Sequence, residues 1–395
     1  MKRVYFDHNA ATPVHREVLD TLLPFLNDKF GNAQSFHALG QEARQSVDQA
    51  RISVAKLIHA SPDEIVFTSN GSEANNFALK GIAFARKEKG NHVVLSQIEH
   101  QSVLKAAESL TRHGFTLSHV PVDKYGKVDP EDVEKVLKKD TVLVSIMLAN
   151  AEVGTIQPIS EIAKICHNRE IPLHTDAVAA TGNMPVDVLK LGVDSLSLAA
   201  NQFYGPKGSG ALFIRKGLKI FPLIDGGIQE WGKRAGTEDT AAIAGIGKAA
   251  EIASIVMKDR VKQMIRLRDF LIEKVREKID HVYLTGHPRE RLPYHASFCV
   301  EFVEGEAMLL HLDMKGISVS SGSACASKSL KASHVLLAMG IEHALAQGSI
   351  VFGLIEGTDK KDIEYFLDVF PPIIKKLRNM SPLYTKYLEE KKNDL

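Results

Sequence analysis

EIVFTSNGSEANNFALKGIAFARKE (residues 64–88) decides the fold. Ile65, Val66 and Phe67 form an apolar run of strand length, ended by a turn of small and polar residues. From Ser72 onward Ala, Phe, Leu and Ile recur at helical spacing, and Ser72 can cap that helix. A strand passing through a tight turn into a helix is half of a strand–helix–strand unit, so the question is whether the pattern recurs. It does.

GQEARQSVDQARISVAKLIHA (40–60) is helical in its spacing, as is ISEIAKICHNR (159–169). HVVLSQ (92–97), TVLVSIML (141–148), IPLHTDA (171–177) and DSLSLAA (194–200) are further apolar runs of strand length. This alternation, from about Arg16 to about Lys216, predicts an α/β fold with a mostly parallel central sheet and flanking helices on both faces. Ligands on such sheets bind beyond the carboxyl ends of the strands, so the residues just after each strand carry the interest. One long helical stretch then runs from about Ala241 to Ile279. A compact α+β segment follows to Pro371, then more helix and a charged tail, YLEEKKNDL. The expected division is a large domain over 16–255 and a small α+β C-terminal domain formed by 1–15 with 256–395.

The chain is 395 residues long, enough for two cores. Lys+Arg 49 against Asp+Glu 48 leaves no basic excess for nucleic acid to exploit. Cys166, Cys299 and Cys325 are too few and too scattered for a disulfide framework or a zinc site. MKRVYFDHNAATP enters a strand-like run with no apolar signal stretch, and no uninterrupted apolar run approaches membrane-spanning length. A cytoplasmic protein without membrane or nucleic-acid partners is the expectation.

Several positions carry chemistry. TSNGSEAN (68–75) puts Gly71 and Ser72 at a helix start, where free N–H groups and a hydroxyl can hold a phosphate, although an ordinary cap explains Ser72 equally well. Asp176 ends a strand, where a carboxylate can keep a pyridine nitrogen protonated, as pyridoxal catalysis requires. His100 follows another strand end, where an imidazole can stack on a flat ring. Thr237, after a glycine in KRAGTED (233–239), suits a second phosphate contact. SVSSGSACASKSL (318–330) surrounds Cys325 with small, flexible residues, a setting for a reactive thiol. Cys299 in ASFCVEF and Cys166 in AKICHNR read as core.

YFDHNAATP, FGNAQSFHALG, FTSNGSEANN, EHQSV, AEVGTIQP, HTDA, FYGPKGSGALF, RAGTE, SSGSACAS and SHVLLAMG occur in this order along almost the whole chain. Together they resemble the cysteine desulfurases of the class V aminotransferase superfamily, in the branch serving iron–sulfur cluster assembly. The resemblance implies a pyridoxal-phosphate fold of type I and a homodimer with sites at the subunit interface. It also implies release of sulfur from L-cysteine, leaving alanine, and delivery from a persulfide to an iron–sulfur scaffold protein. By position, Cys325 would be the persulfide carrier and His100 the ring-stacking, proton-handling residue. Asp176 would be the pyridine partner, Gly71 and Ser72 phosphate ligands, and Thr237 a contact to the neighbouring subunit's phosphate.

The departures are concentrated. The family's Ser-x-His-Lys before YGPKG reads Ala199, Ala200, Asn201, Gln202, so Gln202 stands where the Schiff-base lysine is expected and Asn201 where the histidine is. Lys207 is no substitute, because the family has a lysine in that turn as well. Ala151, Ala179 and Val351 likewise stand where asparagine, glutamine and the carboxylate-clamping arginine are expected. Two readings follow. In one, Cys325 handles sulfur as a persulfide or thiolate, even as a cluster ligand in a complex, while the pyridoxal-dependent step is impaired. Its sulfur then comes from another donor such as sulfide, polysulfide or a true desulfurase. In the other, the chain is an active desulfurase holding pyridoxal phosphate non-covalently and using another base, His100 being the nearest.

Overall fold

The computed structural model of the chain describes residues 2–322 and 332–393. Its strands in chain order are β1 (Val4–Tyr5), β2 (Ile65–Thr68), β3 (His92–Ser96), β4 (Thr116–Val120), β5 (Thr141–Ser145) and β6 (Leu173–Asp176), then β7 (Ser195–Ala199), β8 (Gly210–Ile214), β9 (Val282–Leu284), β10 (His295–Val300), β11 (Ile317–Ser318) and β12 (Ser349–Gly353).

Seven strands form the central sheet in the order β2-β8-β7-β6-β5-β3-β4. β8 runs antiparallel to both neighbours, β2 and β7, and every other pairing in this sheet is parallel. Every residue of β2, β3, β5, β6, β7 and β8 is buried, as expected of strands covered on both faces. The expected α/β architecture is therefore the one observed. The helix Gly71–Ala85 buries Ala74, Phe77, Ala78 and Ile82, and these pack with Val66 of β2 and Val93 of β3. A second sheet, β12-β10-β9, is antiparallel, and the N-terminal β1 pairs in parallel with β11.

The helix Thr240–Lys278 has 39 residues, and position 255 lies inside it. One of its windows, with mean hydropathy 1.4, is long and apolar enough to cross a membrane by length and composition, and half of that window is buried within the protein. The reason for its composition is close packing. A Cβ on Gly247 would come within 2.5 Å of Ala50 Cα, so this helix and the helix Ala38–Leu57 touch nearly backbone to backbone.

Two local expectations are corrected. The helix at 71–85 is capped by Asn70, whose Oδ1 accepts the Glu73 N–H at 2.8 Å; Ser72 is not the cap. Asn70 has the extended backbone that a cap needs, whereas Ser72 already lies inside the helix. Ser72 thus keeps an exposed side chain. The strands are also shorter than the apolar runs, ending at Ser96, Ser145 and Asp176, although Ile146 and Leu148 still donate their N–H groups to His174 O and Asp176 O of the neighbouring strand. Cys166 and Cys299 are buried, as expected, and burial pushes both thiols up to about 12.

Candidate active site

Five turns meet at the carboxyl edge of the parallel strands. They follow β2 (Ser69–Gly71), β3 (Ile98–His100), β5 (Asn150–Glu152), β6 (Asp176–Val178) and β7 (Asn201–Gln202). Asn150 staples two of them: its Nδ2 donates to Ile98 O at 3.0 Å, and its Oδ1 accepts the Glu152 N–H at 2.8 Å.

Gly71 opens its helix against Val178 and Ala199. A Cβ there would lie 2.6 Å from Val178 Cγ2, so only glycine lets the helix start this close to the turn after β6. The neighbouring Glu73 binds the loop that carries Thr237. Its Oε1 accepts from Arg234 Nε at 2.9 Å, while Ser69 donates its backbone N–H and its hydroxyl to Oε2. Burial works to raise the Glu73 carboxyl, but the Arg234 and Ser69 hydrogen bonds outweigh it and hold the group below its ordinary value. Thr237 itself is exposed, one residue before Glu238, which accepts from Gln34 Nε2 at 2.6 Å.

Asp176 is buried. Its Oδ1 accepts the Val178 N–H at 3.0 Å and its Oδ2 accepts from Asn75 Nδ2 at 2.6 Å. The same Asn75 nitrogen donates to Ser102 Oγ at 2.8 Å, and Ser102 Oγ lies 2.7 Å from His100 Nδ1. Asp176 and His100, far apart in sequence, are thereby joined through two residues that sequence reasoning passed over. Asn75 sat inside the quoted TSNGSEAN and Ser102 inside EHQSV, but nothing in their spacing showed that they would meet. His100 is exposed and caps the helix Gln101–Thr111. His334 contacts the residue on either side of it, with Nε2 3.1 Å from the Glu99 backbone carbonyl and Nδ1 3.4 Å from the Gln101 side-chain Nε2.

Gln202 is buried in a short turn after β7 and is held on three sides. Its side-chain Nε2 donates to Asn9 O at 3.0 Å, and its backbone carbonyl accepts from Asn183 Nδ2 at 2.8 Å and lies 2.9 Å from His8 Nε2. Burial pushes the His8 imidazole down to about 4. The carbonyl of the half-buried Asn201 accepts both the hydroxyl and the N–H of Thr12. The N-terminal segment is thus tied to the turn after β7, a connection the sequence did not reveal.

Cys325 lies outside the described residues. Gly322 and Ser333, described positions on its two sides, both meet Glu152. A Cβ on Gly322 would collide with Glu152 Oε1, and Ser333 hydrogen-bonds the same carboxyl. Glu152 is half-buried as a residue, and the burial of its carboxyl pushes that group up to about 8 despite the Ser333 bond.

A helix start, a carboxylate and an imidazole around one sheet edge are the kinds of group that a phosphorylated aromatic cofactor requires. The aminotransferase class-V family description matches residues 4–366, and the chain belongs to that family. Its similarity within the family is to cysteine desulfurases. It is 50% identical over 394 residues to the cysteine desulfurase IscS of Dictyoglomus turgidum, covering 100% of both chains. It is 46% identical over 385 residues to the cysteine desulfurase IscS of Methanosarcina thermophila, covering 98% of this chain and 95% of that one. A solved NifS-like protein matches with a TM-score of 0.89 at 38% identity, over 95% of this chain and 100% of the other.

The family's cofactor is pyridoxal phosphate. Ser72, free of capping, Gly71 and Asp176 suit its phosphate and ring nitrogen. Gln202 Oε1, Asn75 Oδ1 and both amide atoms of Asn9 are buried without a hydrogen-bond partner among the described residues. Buried polar atoms persist in that condition where a ligand or water completes them. The residues present therefore fit a bound cofactor, but Gln202 offers no amine to tether it.

Proposed function

We propose that this chain mobilises sulfur for iron–sulfur cluster assembly through Cys325, as a persulfide or thiolate, with release of sulfur from L-cysteine weak or absent in the isolated chain. The observation that carries this reading is Gln202. An amide nitrogen has its lone pair delocalised into the carbonyl, so it neither condenses with an aldehyde nor relays a proton. Here that nitrogen is also committed to Asn9 O. If Gln202 takes the place of the family's lysine, the largest contribution that residue makes to rate is gone, since general acid–base help alone amounts to roughly 10²–10⁴-fold. Val351 in place of the carboxylate-clamping arginine acts in the same direction. Ser72, Gly71, Asp176 and His100 support non-covalent binding of pyridoxal phosphate, which when bound would withdraw electrons from an amino acid's Cα.

The sulfur donor in this reading is a polysulfide or the persulfide of a catalytically complete desulfurase, either of which passes sulfane sulfur to the Cys325 thiolate and leaves as the shortened polysulfide or the donor's thiolate, and the acceptor is an iron–sulfur scaffold protein. The protein acts in the cytoplasm as a homodimer, needing neither nucleic acid nor membrane. Exposed Phe36, Ile228 and Phe30 support the dimer.

The test is titration of wild type and Gln202→Lys with pyridoxal phosphate and L-cysteine, following cofactor absorption and alanine release. Wild type is expected to show no covalently tethered cofactor and little alanine, and Gln202→Lys to gain the tether. Alanine release by wild type at a rate ordinary for its relatives would establish the active-desulfurase alternative instead. In parallel, Cys325→Ser is expected to abolish persulfide capture and scaffold loading. Retention of both would remove the proposed role of Cys325.

A further inference from the structure

The groups around His100 determine which ring nitrogen carries its proton. Asn75 Nδ2 lies 2.6 Å from Asp176 Oδ2. Facing a carboxylate, Asn75 must turn its NH2 group that way, since its amide oxygen would set two acceptors against each other. The second N–H of that group reaches Ser102 Oγ at 2.8 Å, so the hydroxyl oxygen accepts and its own proton is free to point elsewhere. It points to His100 Nδ1, 2.7 Å away. The backbone N–H of Ser102, which can only donate, reaches the same nitrogen at 3.2 Å. Nδ1 therefore receives two donors, and the neutral ring must hold its proton on Nε2.

We propose that Ser102 and Asn75 are positioning residues that lock His100 as its Nε2–H tautomer. The ring then presents the site with a hydrogen-bond donor for an anionic group and has no free lone pair with which to act as a base. A carboxylate fixes an amide, the amide fixes a hydroxyl, and the hydroxyl fixes the imidazole. His334 hydrogen-bonds the Glu99 carbonyl and the Gln101 side-chain amide, and neither of those bonds takes a nitrogen of the His100 ring, so they do not compete in setting the tautomer. The inference rests on the reading of His100 as a residue of the site, and it bears on the active-desulfurase alternative by removing that alternative's nearest base.

The experiment is long-range proton–nitrogen correlation on the full-length protein labelled with 15N-histidine, at a pH where the ring is neutral. His100→Gln identifies the His100 signals among the 16 histidines. In wild type, Nε2 is expected at the protonated position and Nδ1 at the unprotonated one. Ser102→Ala should lower the ratio of Nε2–H to Nδ1–H by roughly 2- to 10-fold, the factor one neutral hydrogen bond carries. Ser102→Thr, which restores a hydroxyl, should bring the ratio back. A wild-type ring protonated on Nδ1, or a ratio indifferent to Ser102→Ala, overturns the lock. Failed scaffold loading through Cys325 with the lock intact would instead overturn the functional reading alone.

Discussion

Glu99 precedes His100 and is fully buried. Burial pushes its carboxyl up to about 8, against hydrogen bonds from Ser96 and the Met147 N–H, with nearby Asp176 adding to the rise. From about 4.5 to about 8 the folded chain keeps a proton that the unfolded chain has already lost. The unfolded state binds fewer protons there, so stability falls as pH rises through that window, by at most about 1.4 kcal/mol per pH unit. Glu99→Gln keeps the accepting oxygen and places an NH2 group where Oε2 now lacks a partner. It should flatten the fall, so that the urea midpoints of wild type and variant diverge progressively between the two pH limits in the variant's favour. Parallel curves would mean that Glu99 is ionised in the folded protein. The sequence pointed to Asp176, His100, Gly71 and Ser72 because each follows an apolar run, and the structure sets these positions around one edge. It did not point to Glu99, Asn75 or Ser102, whose roles come from partners distant in the chain.

At the scale of elements, the strands read from the sequence were those buried on both faces, whose unbroken apolar runs need no partner to be visible. β4 was missed because it is an edge strand, partly exposed and polar in TLSHV. β8 was missed because GALFI follows directly on the glycine-rich turn and was read with it as a motif. Nor did the sequence show how the loop before Thr237 is anchored. Glu230 and Trp231 both have positive φ, 47° and 56°, in a turn that inserts Glu230 beneath the surface. There it accepts two hydrogen bonds from Arg51 and one from the N–H of Phe67 in β2, and the Arg51 guanidinium lies 4.8 Å from the Phe67 ring centre and 4.5 Å from that of Trp231. Arg51→Ala leaves a buried carboxylate without its counter-ion and should cost about 3–5 kcal/mol in a denaturant titration. Adding Glu230→Gln should return part of that loss. If the double variant were no more stable than Arg51→Ala, the charge of Glu230 would not be the cause.

For the whole molecule, the question is what covers four large exposed apolar side chains. Phe36 is 96% exposed, Ile228 81%, Phe30 69% and Trp231 55%. They sit on two chain segments that are tied to each other. The Gln34–Glu238 bond joins the segment bearing Phe36 to the loop bearing Thr237, and Trp231 packs 4.5 Å from the Arg51 guanidinium on the helix Ala38–Leu57. Apolar side chains of this size left in water on two joined segments mark an interface. A second copy of the chain is the occupant proposed, which would set Thr237 beside the partner's phosphate-accepting turn. Sedimentation velocity should then give twice the chain mass. Phe36→Asp combined with Ile228→Asp should shift the distribution toward the single chain, with far-UV circular dichroism unchanged because neither residue is buried within its own subunit. The double variant should also bind pyridoxal phosphate more weakly, since each site would lose the contact supplied across the interface. Wild type sedimenting as a single chain would exclude the dimer. A dimer that survived both substitutions would place the interface on another face and leave Thr237 without its proposed part in the neighbouring site.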